Sequence, residues 1–339
     1  MGTELHGHTK TVLCLSTAEN GEIFSGGEQG ELCLWSADGI FISKHTYQGD
    51  DDITSVICSQ LHPNQLYAAA GTRILTLDKR QLSDPVCAFT FNEEEINELV
   101  LSTKEEYLAA CDDSGSIKII NLFDRHIHRT LKKHSNICAA LTFHPKRPST
   151  LFSGGYDSKL IQWDYSRGRS VCIVEMADFG IHGGESNAYL INPPFVHCLA
   201  ADSTGQYLAC GIESALVQLF HINKRNPEHL VTLCGHTEGV SQVHFPRGKL
   251  NHLVSGGNDG KILIWDLEAI HQAGATCNGV SNGESSNLHL LPSNVANLPL
   301  ATIDHGAKVN WLTSLSSNED VRIIVADTLD RVILYPYPS

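Results

Sequence analysis

A strand–turn–strand pattern recurs along this chain and constrains the fold more than any other feature of the sequence. The clearest copy covers residues 252–266, where a Gly-Gly-Asn-Asp-Gly turn separates two runs of β-branched and aromatic residues. This arrangement is typical of a β-hairpin, because glycine accepts the positive φ that the turn requires. The seven segments with this layout are 24–35, 67–78, 110–120, 152–164, 209–220, 252–266 and 324–335.

The glycines of the clearest copy also suggest a phosphate-binding loop that ends at Gly260 and Lys261. Such a loop needs a glycine at its first position and Ser or Thr after the lysine. Those two positions hold Ser255 and Ile262, and the following residues favour a strand over the helix that a phosphate loop precedes. The sequence therefore excludes a nucleotide site of this type.

Each hairpin is preceded by another strand that begins with an apolar anchor residue. We assign the anchors to Val12, Ile53, Ile96, Ile137, Val196, Val240 and Val309. Four of the six intervals lie near the roughly 40–45-residue period of a four-stranded propeller blade. The two longer intervals contain segments rich in Gly, Ser, Asn or Pro, residues 168–194 and 269–301, which we interpret as inserted surface loops.

Two dipeptides accompany the repeat, Gly-His before the first strand and Trp-Asp after the third. Gly-His occurs at 7–8 and 235–236, and Trp-Asp occurs at 163–164 and 265–266. With these motifs the chain resembles the WD-repeat β-propeller family. The resemblance implies one all-β domain over residues 1–339, a seven-bladed propeller of four-stranded antiparallel blades. Because the last repeat is one strand short, we expect the N-terminal strand, residues 3–6, to complete it and to remove an open sheet edge.

In such a blade, the opening His, a Ser of the second strand, the turn Asp and the Trp of the third strand can form one buried hydrogen-bonded chain, which we call a tetrad. The two complete sets are His134, Ser153, Asp157 and Trp163, and His236, Ser255, Asp259 and Trp265. Blade one has His8, Ser25 and Trp35, but Gln29 replaces the Asp. Each bond is expected to add about 1 kcal/mol. We expect blades two, three, five and seven to rely on apolar packing.

Charge and cysteine usage narrow the classes of function. Lys plus Arg number 24 and Asp plus Glu number 38, which gives a net charge of -14 and argues against nucleic acid as a partner. No apolar run is long enough to span a bilayer, and no secretory signal is recognisable at the start. The 11 cysteines include no metal-binding spacing, which favours free thiols inside the cell, in the cytoplasm or the nucleus.

Three acidic runs converge on neighbouring blades and form the candidate site. The loops that enter blades two and three carry most of these carboxylates, and the hairpin turn of blade three adds the rest. The predicted acidic rim consists of Asp50, Asp51, Asp52, Glu93, Glu94, Glu95, Asp112 and Asp113. One interpretation is a solvated acidic edge, and the other is a docking site for a Lys- or Arg-rich peptide. Tyr156 and Asn258 occupy matching turn positions in blades four and six and are candidates for further contacts.

A second candidate surface follows from the family resemblance alone. Some WD-repeat proteins are substrate receptors that dock on the adaptor of a cullin–RING ubiquitin ligase through a Trp-Asp-x-Arg sequence. In this chain only Asp78 and Arg80 supply the Asp-x-Arg part, and Leu77 replaces the aromatic residue. Arg80 could pair with carboxylates of an adaptor, or it could simply bond Asp78.

These patterns favour a non-enzymatic protein-interaction scaffold. The ligase-receptor hypothesis is a specific form of it. A propeller enzyme is the third alternative, but we can name no set of catalytic residues, and we expect no cofactor and no metal. The His–Ser–Asp sets do not indicate a hydrolase, since a hydroxyl bonded by an indole deep in a sheet is no nucleophile.

Overall fold

The computed structural model describes residues 2–49, 51–179, 193–223, 226–270, 295–296, 299–317 and 320–338. The described chain forms seven sheets, and in each four neighbouring strands pair in antiparallel order. The innermost strand of each sheet contacts the innermost strand of the next, and the seventh contacts the first. The predicted seven-bladed propeller is therefore confirmed.

The first four blades follow one another along the chain, and each runs from its innermost strand outwards. Blade one comprises Val12–Thr17, Ile23–Gly27, Glu31–Trp35 and Phe41–Thr46. Blade two comprises Ile53–Cys58, Gln65–Ala70, Arg73–Asp78 and Cys87–Phe89. Blade three comprises Ile96–Leu101, Tyr107–Asp112, Ser116–Asn121 and His126–Lys132. Blade four comprises Cys138–Phe143, Thr150–Gly155, Lys159–Asp164 and Arg169–Glu175.

Blade five comprises Val196–Ala201, Tyr207–Ile212, Leu216–Ile222 and Pro227–Cys234, with Val295–Ala296 added in parallel at its outer edge. Blade six comprises Val240–His244, His252–Gly257, Lys261–Asp266 and Ala301–Asp304. Blade seven comprises Val309–Ser317, Asp320–Asp327, Arg331–Pro336 and the N-terminal strand Thr3–His6. Short 3₁₀ helices occur at Glu28–Gly30 and Met176–Phe179.

The N-terminal strand closes the ring, as expected. Thr3 pairs with Leu334 and His6 pairs with Arg331, so four residues from one end of the chain bond the last blade. Leu5 is buried between the two ends and joins a core cluster with Trp35 and Leu334. Closure removes an unpaired edge and couples the two termini.

Glycines near the ends of the second strands let adjacent blades approach closely. In blade four a Cβ on Gly154 would lie 2.3 Å from Val196 Cγ1, so the first glycine of the Ser-Gly-Gly sequence is needed where the next anchor packs. Side chains then bond the next blade, as when Asn310 Nδ2 donates to Val12 O at 2.9 Å across the closure. The recurrent glycines thus serve packing between blades rather than phosphate binding.

Three positions in the predicted organisation were wrong. The anchor of blade four is Cys138, not Ile137, because Cys138 pairs with Gly155 and is fully buried. The predicted insertion 168–194 starts too early, since Arg169–Glu175 form the fourth strand, whose side chains alternate between exposed and half-buried. The insertion 269–301 overlaps strands at Val295–Ala296 and Ala301–Asp304, and most of its remaining residues lie outside the described part of the chain.

The meander defines two faces of the disc. Loops that enter a blade and turns between the second and third strands lie on one side, which we call the upper face. Turns between the first and second strands and between the third and fourth strands lie on the other side, the lower face. The predicted acidic rim therefore belongs to the upper face, and Arg80 belongs to the lower face.

Candidate functional site

The upper faces of blades two and three carry an acidic sector, which consists of Asp51, Asp52, Glu93, Glu94, Glu95 and Asp113. The three glutamates are exposed, and the three aspartates are half-buried. Arg73 Nη2 lies 3.0 Å from Asp51 Oδ2 and is the one cation paired with the sector among the described residues. Asp52 accepts the Gln29 amide at 2.9 Å, and Asp113 accepts Asn97 Nδ2 at 2.9 Å. The sector therefore keeps a large negative excess.

The carboxylates of the two blades lie close enough to interact. The pKa of Glu95 is raised by partial removal from water and then by the charges of Asp113, Asp52 and Asp51. Like charges disfavour ionisation, so the three aspartates make the charged form of Glu95 costlier. A cation that binds among them would relieve this repulsion.

Two residues of the predicted rim differ from the rest. Asp112 is fully buried and accepts Asn92 Nδ2 at 2.8 Å, the Ser114 amide at 3.1 Å and the Ser116 amide at 3.2 Å. Its prediction as a rim residue was wrong, because the last residue of that strand points into the blade while Asp113 begins the turn. Asp50 lies outside the described residues.

The predicted aromatic contact, Tyr156, belongs to a polar and aromatic group on blades four and five. Its ring stacks on Phe195 with centroids 5.2 Å apart, and its hydroxyl lies 3.2 Å from His197 Nδ1. His197 Nε2 in turn lies 2.6 Å from Glu213 Oε2. The pKa of Tyr156 is raised by burial and by the charges of Glu213 and Asp113. Tyr156 lies in the turn after the second strand of blade four, and the matching turns of blades three and five hold Asp113 and Glu213.

Sequence reasoning missed Phe195, His197 and Glu213. One available signal was position, because His197 directly follows the anchor Val196, as Asn97 and Asn310 follow theirs. Asn258 is half-buried, and its backbone N–H donates to Gly239 O at 2.8 Å. Its Oδ1 is buried and has no hydrogen-bond partner in the described part of the chain.

The tetrads of blades four and six are both present as hydrogen-bonded chains. In blade four Trp163 Nε1 donates to Ser153 Oγ at 2.8 Å, and His134 lies 2.8 Å from both Ser153 and Asp157. In blade six the matching distances for Trp265, Ser255, His236 and Asp259 are 2.9, 2.9 and 3.0 Å. The serine hydroxyls are thus engaged by an indole and an imidazole, a structural arrangement.

Blade one replaces the missing Asp with a glutamate from the third strand. Glu31 Oε2 lies 3.1 Å from His8 Nδ1 and accepts the Thr9 amide at 2.8 Å, while Lys44 Nζ donates to Oε1 at 2.5 Å. Burial alone would raise the pKa of Glu31, but the bonds from Lys44 and Thr9 outweigh it and lower the pKa to about 2. Trp35 Nε1 is buried without a partner among the described residues.

Blades three, five and seven also contain buried polar links, so the expectation of apolar packing alone was wrong for them. In blade five the Thr232 hydroxyl donates to Gln218 Oε1 at 2.8 Å, and both residues are buried. Asp112 and Asp327 pair with the anchors of their blades, at the position that Gly257 holds in blade six. In blade seven His305 Nε2 lies 2.9 Å from Asp327 Oδ2, and the Tyr335 hydroxyl lies 2.9 Å from His305 Nδ1. In blades three and seven an aspartate two residues before the turn position therefore replaces the turn Asp.

On the lower face, Arg80 is held by Asp78 through two parallel bonds. Arg80 Nε donates to Asp78 Oδ1 at 2.9 Å, and Nη2 donates to Oδ2 at 2.5 Å, while the Arg80 side chain stays 69% exposed. The pKa of Asp78 falls to about 2 because of these bonds. Both residues border a shallow groove of about 450 Å³ that Pro85 and Val86 also line.

Within the described ranges no group of three His, Cys, Asp or Glu side chains is arranged to hold a metal ion. The described cysteines are free, and most of them are buried. No described helix has the length and apolar character needed to cross a bilayer.

Comparisons with known proteins agree with this architecture. The family model "WD domain, G-beta repeat" matches residues 2–36, 125–164 and 227–266. The chain is 28% identical to the WD repeat-containing protein 53 homolog of Dictyostelium discoideum, over 96% of this chain and 91% of that protein. It is 32% identical to human U3 small nucleolar RNA-interacting protein 2 over 35% of this chain and 24% of the relative. It is 27% identical to protein transport protein SEC13 of Coccidioides immitis over 47% of this chain and 56% of the relative.

Proposed function

We propose that this chain, a WD-repeat β-propeller, is a non-enzymatic interaction scaffold whose acidic sector binds a Lys- or Arg-rich segment of a partner protein. The single observation that carries the proposal is the convergence of carboxylates from two blades on one surface, with Arg73 as their one paired cation among the described residues. Propellers commonly bind other proteins, but the fold does not determine which partner binds. The charge of the surface therefore has to select the partner.

The chemistry of the sector fits a cationic partner. Charged groups on an interface mainly set which partners are attracted and how fast they associate. Repulsion among Asp51, Asp52, Glu95 and Asp113 would be relieved by each Lys or Arg that docks there. Tyr156 and Phe195 extend the same surface, and aromatic rings often supply the well-packed contacts of such interfaces.

The test compares two variants with the same change in charge. Glu93→Gln, Glu94→Gln and Glu95→Gln together neutralise exposed carboxylates of the sector. Glu19→Gln, Asp38→Asn and Asp84→Asn neutralise three exposed carboxylates of the lower face. The probe is a fluorescein-labelled peptide of alternating Lys, Arg and Gly, followed by polarisation at low salt. We expect the upper-face variant to bind about tenfold more weakly and the lower-face variant to bind within about twofold of the parent.

Equal losses in the two triple variants would mean that the peptide responds to net charge, and the sector would then be only a solvated edge. Unchanged binding in both would remove the proposal altogether. A Tyr156→Ala variant that weakens binding further at high salt would identify the aromatic group as part of the surface, because ring contacts are screened less by salt.

A second candidate function is docking on the adaptor of a cullin–RING ubiquitin ligase through Asp78 and Arg80. It is favoured by one observation, the exposed Arg80 whose guanidinium is fixed by Asp78 beside a groove. A fixed, planar guanidinium loses less freedom when it meets a partner's carboxylate or carbonyl group. The Asp78–Arg80 pair is equally consistent with the alternative interpretation, in which Arg80 bonds only Asp78 and docks on no adaptor.

The decisive experiment is co-precipitation with the purified adaptor. Arg80→Ala removes the guanidinium, and Arg125→Ala is the matched control, an exposed arginine in the corresponding lower-face turn of blade three. We expect adaptor recovery to fall for Arg80→Ala and to stay unchanged for Arg125→Ala. Equal recovery from both variants and the parent would discard the ligase hypothesis and leave the scaffold proposal untouched.

A further inference from the structure

A groove on the lower face separates the turns of blades five and six, and we call it the lower groove. It measures about 380 Å³ and is lined by residues 201–204, 206 and 207 from blade five and by residues 244–252 from blade six, with Leu267. Its apolar lining comes from Ala201, Phe245, Pro246, Leu250 and Leu267. Leu250 is 74% exposed at this surface.

Two cations on the lining are not neutralised by carboxylates of the described residues. Arg247 Nη1 donates to the neutral Gln60 Oε1 at 3.0 Å, and Lys249 Nζ lies 5.2 Å from the centre of the Tyr337 ring. Neither cation has a carboxylate within 4.0 Å in the described part of the chain. Both charges therefore stay available to an incoming anion.

The carboxylate on the lining is occupied by its own loop. Asp202 is nearly buried and accepts the amides of Thr204, Gln206 and Tyr207 at 3.0, 2.8 and 2.6 Å, as well as the Thr204 hydroxyl. Asp266, which lies outside the lining, accepts the amides of Glu268 and Ala269 in the same manner. These bonds shield the negative charge, whereas the Arg247 guanidinium donates to a neutral amide oxygen and Lys249 lies over an aromatic ring.

We propose that the lower groove binds an acidic segment of a partner protein that carries one bulky apolar side chain. The apolar side chain fills the space beside Phe245 and Leu250, and flanking carboxylates meet Lys249 and Arg247. Pockets that combine an apolar interior with a few charged groups at the edge gain affinity from burial and orientation from charge.

Charge complementarity selects this occupant over two others. A nucleic acid is bound mainly by many phosphate contacts, and the lining offers two cations beside a largely apolar surface. A second copy of the chain would bring a whole net charge of -14 towards a surface of the same sign, so its long-range repulsion is larger than that of a short acidic segment. A short acidic peptide segment meets both the charge and the apolar lining.

The lower groove faces away from the acidic sector, so the two proposals are independent. If both surfaces are used, the scaffold holds a basic segment above the disc and an acidic segment below it. Loss of either interaction leaves the other intact, and each surface is tested with its own set of substitutions.

The test uses the full chain and a fluorescein-labelled peptide of Glu and Asp with one central Phe. Lys249→Glu and Leu250→Asp alter the groove, and Lys249→Gln is the milder second variant if charge reversal lowers the thermal midpoint. Lys10→Glu is the matched control, because Lys10 is exposed on the upper face. We expect about tenfold weaker binding for the two groove variants, and a change within about twofold for Lys10→Glu.

Four results would overturn the proposal. Lys10→Glu could weaken binding as much as Lys249→Glu, which would indicate overall charge alone. A peptide with Ala in place of Phe could bind equally well, which would remove the role of the apolar lining. An RNA oligomer could displace the peptide at equal charge concentration, which would make a nucleic acid the occupant. Finally, concentration-dependent self-association that is lost in Lys249→Glu would make a second copy the occupant.

Discussion

Blades four and six build their buried polar chain from four residues at fixed positions, whereas blades one and seven build it from replacements. In blade six the Ser255 hydroxyl links Trp265 to His236, and Asp259 holds the imidazole from the turn. In blade one the acid is Glu31, the first residue of the third strand, and Trp35 Nε1 is left without a partner among the described residues. In blade seven Tyr335 bonds the histidine directly. The histidine is the shared element, and its partners are exchangeable.

The difference between these blades shows which part of the motif the fold needs. A buried imidazole must have both nitrogens satisfied, and a carboxylate that reaches Nδ1 or Nε2 satisfies the N–H of one of them. Asp259 does so from the turn, Glu31 from the third strand and Asp327 from the end of the second. The indole bond is less constrained, because blade one keeps its tryptophan packed against His8 and Phe41 without it.

The largest expected effect separates the two kinds of blade. Ser255→Ala removes a hydroxyl that serves two buried groups, so Trp265 and His236 both lose a partner, and we expect a loss of about 3 kcal/mol in the free energy of unfolding. Ser25→Ala strands only His8, because Trp35 does not bond Ser25, and we expect about 1 kcal/mol. Urea denaturation of both variants measures the difference. Equal losses would show that the indole bond contributes nothing in blade six.

The second prediction concerns Glu31, the acid that replaces the turn Asp in blade one. Glu31→Gln loses the ionic bond from Lys44 and weakens the hydrogen bond with His8, and we expect a cost of about 2 kcal/mol at pH 7. The pKa of Glu31 is lowered to about 2 from the ordinary 4.5. A lowered pKa stabilises the folded state above pH 4.5, and this contribution is lost as the pH falls towards 2. The gap in stability between parent and variant should therefore narrow over that range, measured by thermal unfolding at several pH values.

A gap that stays constant between pH 5 and about 2 would mean that the charge of Glu31 is not what stabilises blade one. Lys44→Met tests the same point from the other side. It should reduce the pH dependence of the parent protein, since the Lys44 bond is among the main causes of the low pKa.

The third prediction contrasts Glu31 with a second glutamate that lies between blades. Glu98 Oε2 accepts the Leu141 amide of the next blade at 2.5 Å, and burial raises its pKa to about 8 from 4.5. A raised pKa stabilises the folded state below pH 4.5 and ceases to do so as the pH rises through 8. Glu98→Gln keeps an acceptor for Leu141 without the charge. We expect the variant to match the parent below pH 4.5 and to be about 1–2 kcal/mol more stable at pH 9.

A Glu98→Gln variant that is less stable than the parent at pH 9 would show that the ionised carboxylate is favoured between the blades. The matched control is Glu105→Gln, on the same blade, whose carboxylate bonds the amides of Gln60 and Leu61 near the surface. We expect this control to lose stability, because Glu105 acts as a charged acceptor for backbone donors.

The sequence was sufficient for the features that depend on residue type at a fixed spacing. The hairpins, six of the seven anchors, the ring closure and both tetrads follow from recurring Gly, Asp, Ser and Trp positions. The anchor of blade four was missed because Ile137 and Cys138 are both apolar, and only the pairing of Cys138 with Gly155 decides between them. Because both residues are apolar, residue type alone does not decide which of the two is the anchor.

The remaining differences concern the directions of side chains. Asp112 and Asp113 are adjacent and identical in type, yet one is buried and the other lies on the upper face. Glu31 reaches His8 from another strand, a contact that no local motif records. The group of Tyr156, Phe195 and His197 combines two blades, and its residues are far apart in the chain. Such contacts depend on register and on the packing of blades, which a single sequence does not contain.

The smallest expected effect tests whether the replacements in blade seven act as one chain. Tyr335→Phe removes the hydroxyl that bonds His305, at a cost of about 1 kcal/mol, and Asp327→Asn weakens the bond on the other nitrogen. Because both bonds fix the tautomer and orientation of one imidazole, we expect the effects of the two changes to be non-additive by about 0.5–1 kcal/mol in a double-mutant cycle. A sum that is additive within a few tenths of a kcal/mol would mean that the two bonds act separately. Blade seven would then hold its histidine with Asp327 alone, as blade three holds Asn92 with Asp112.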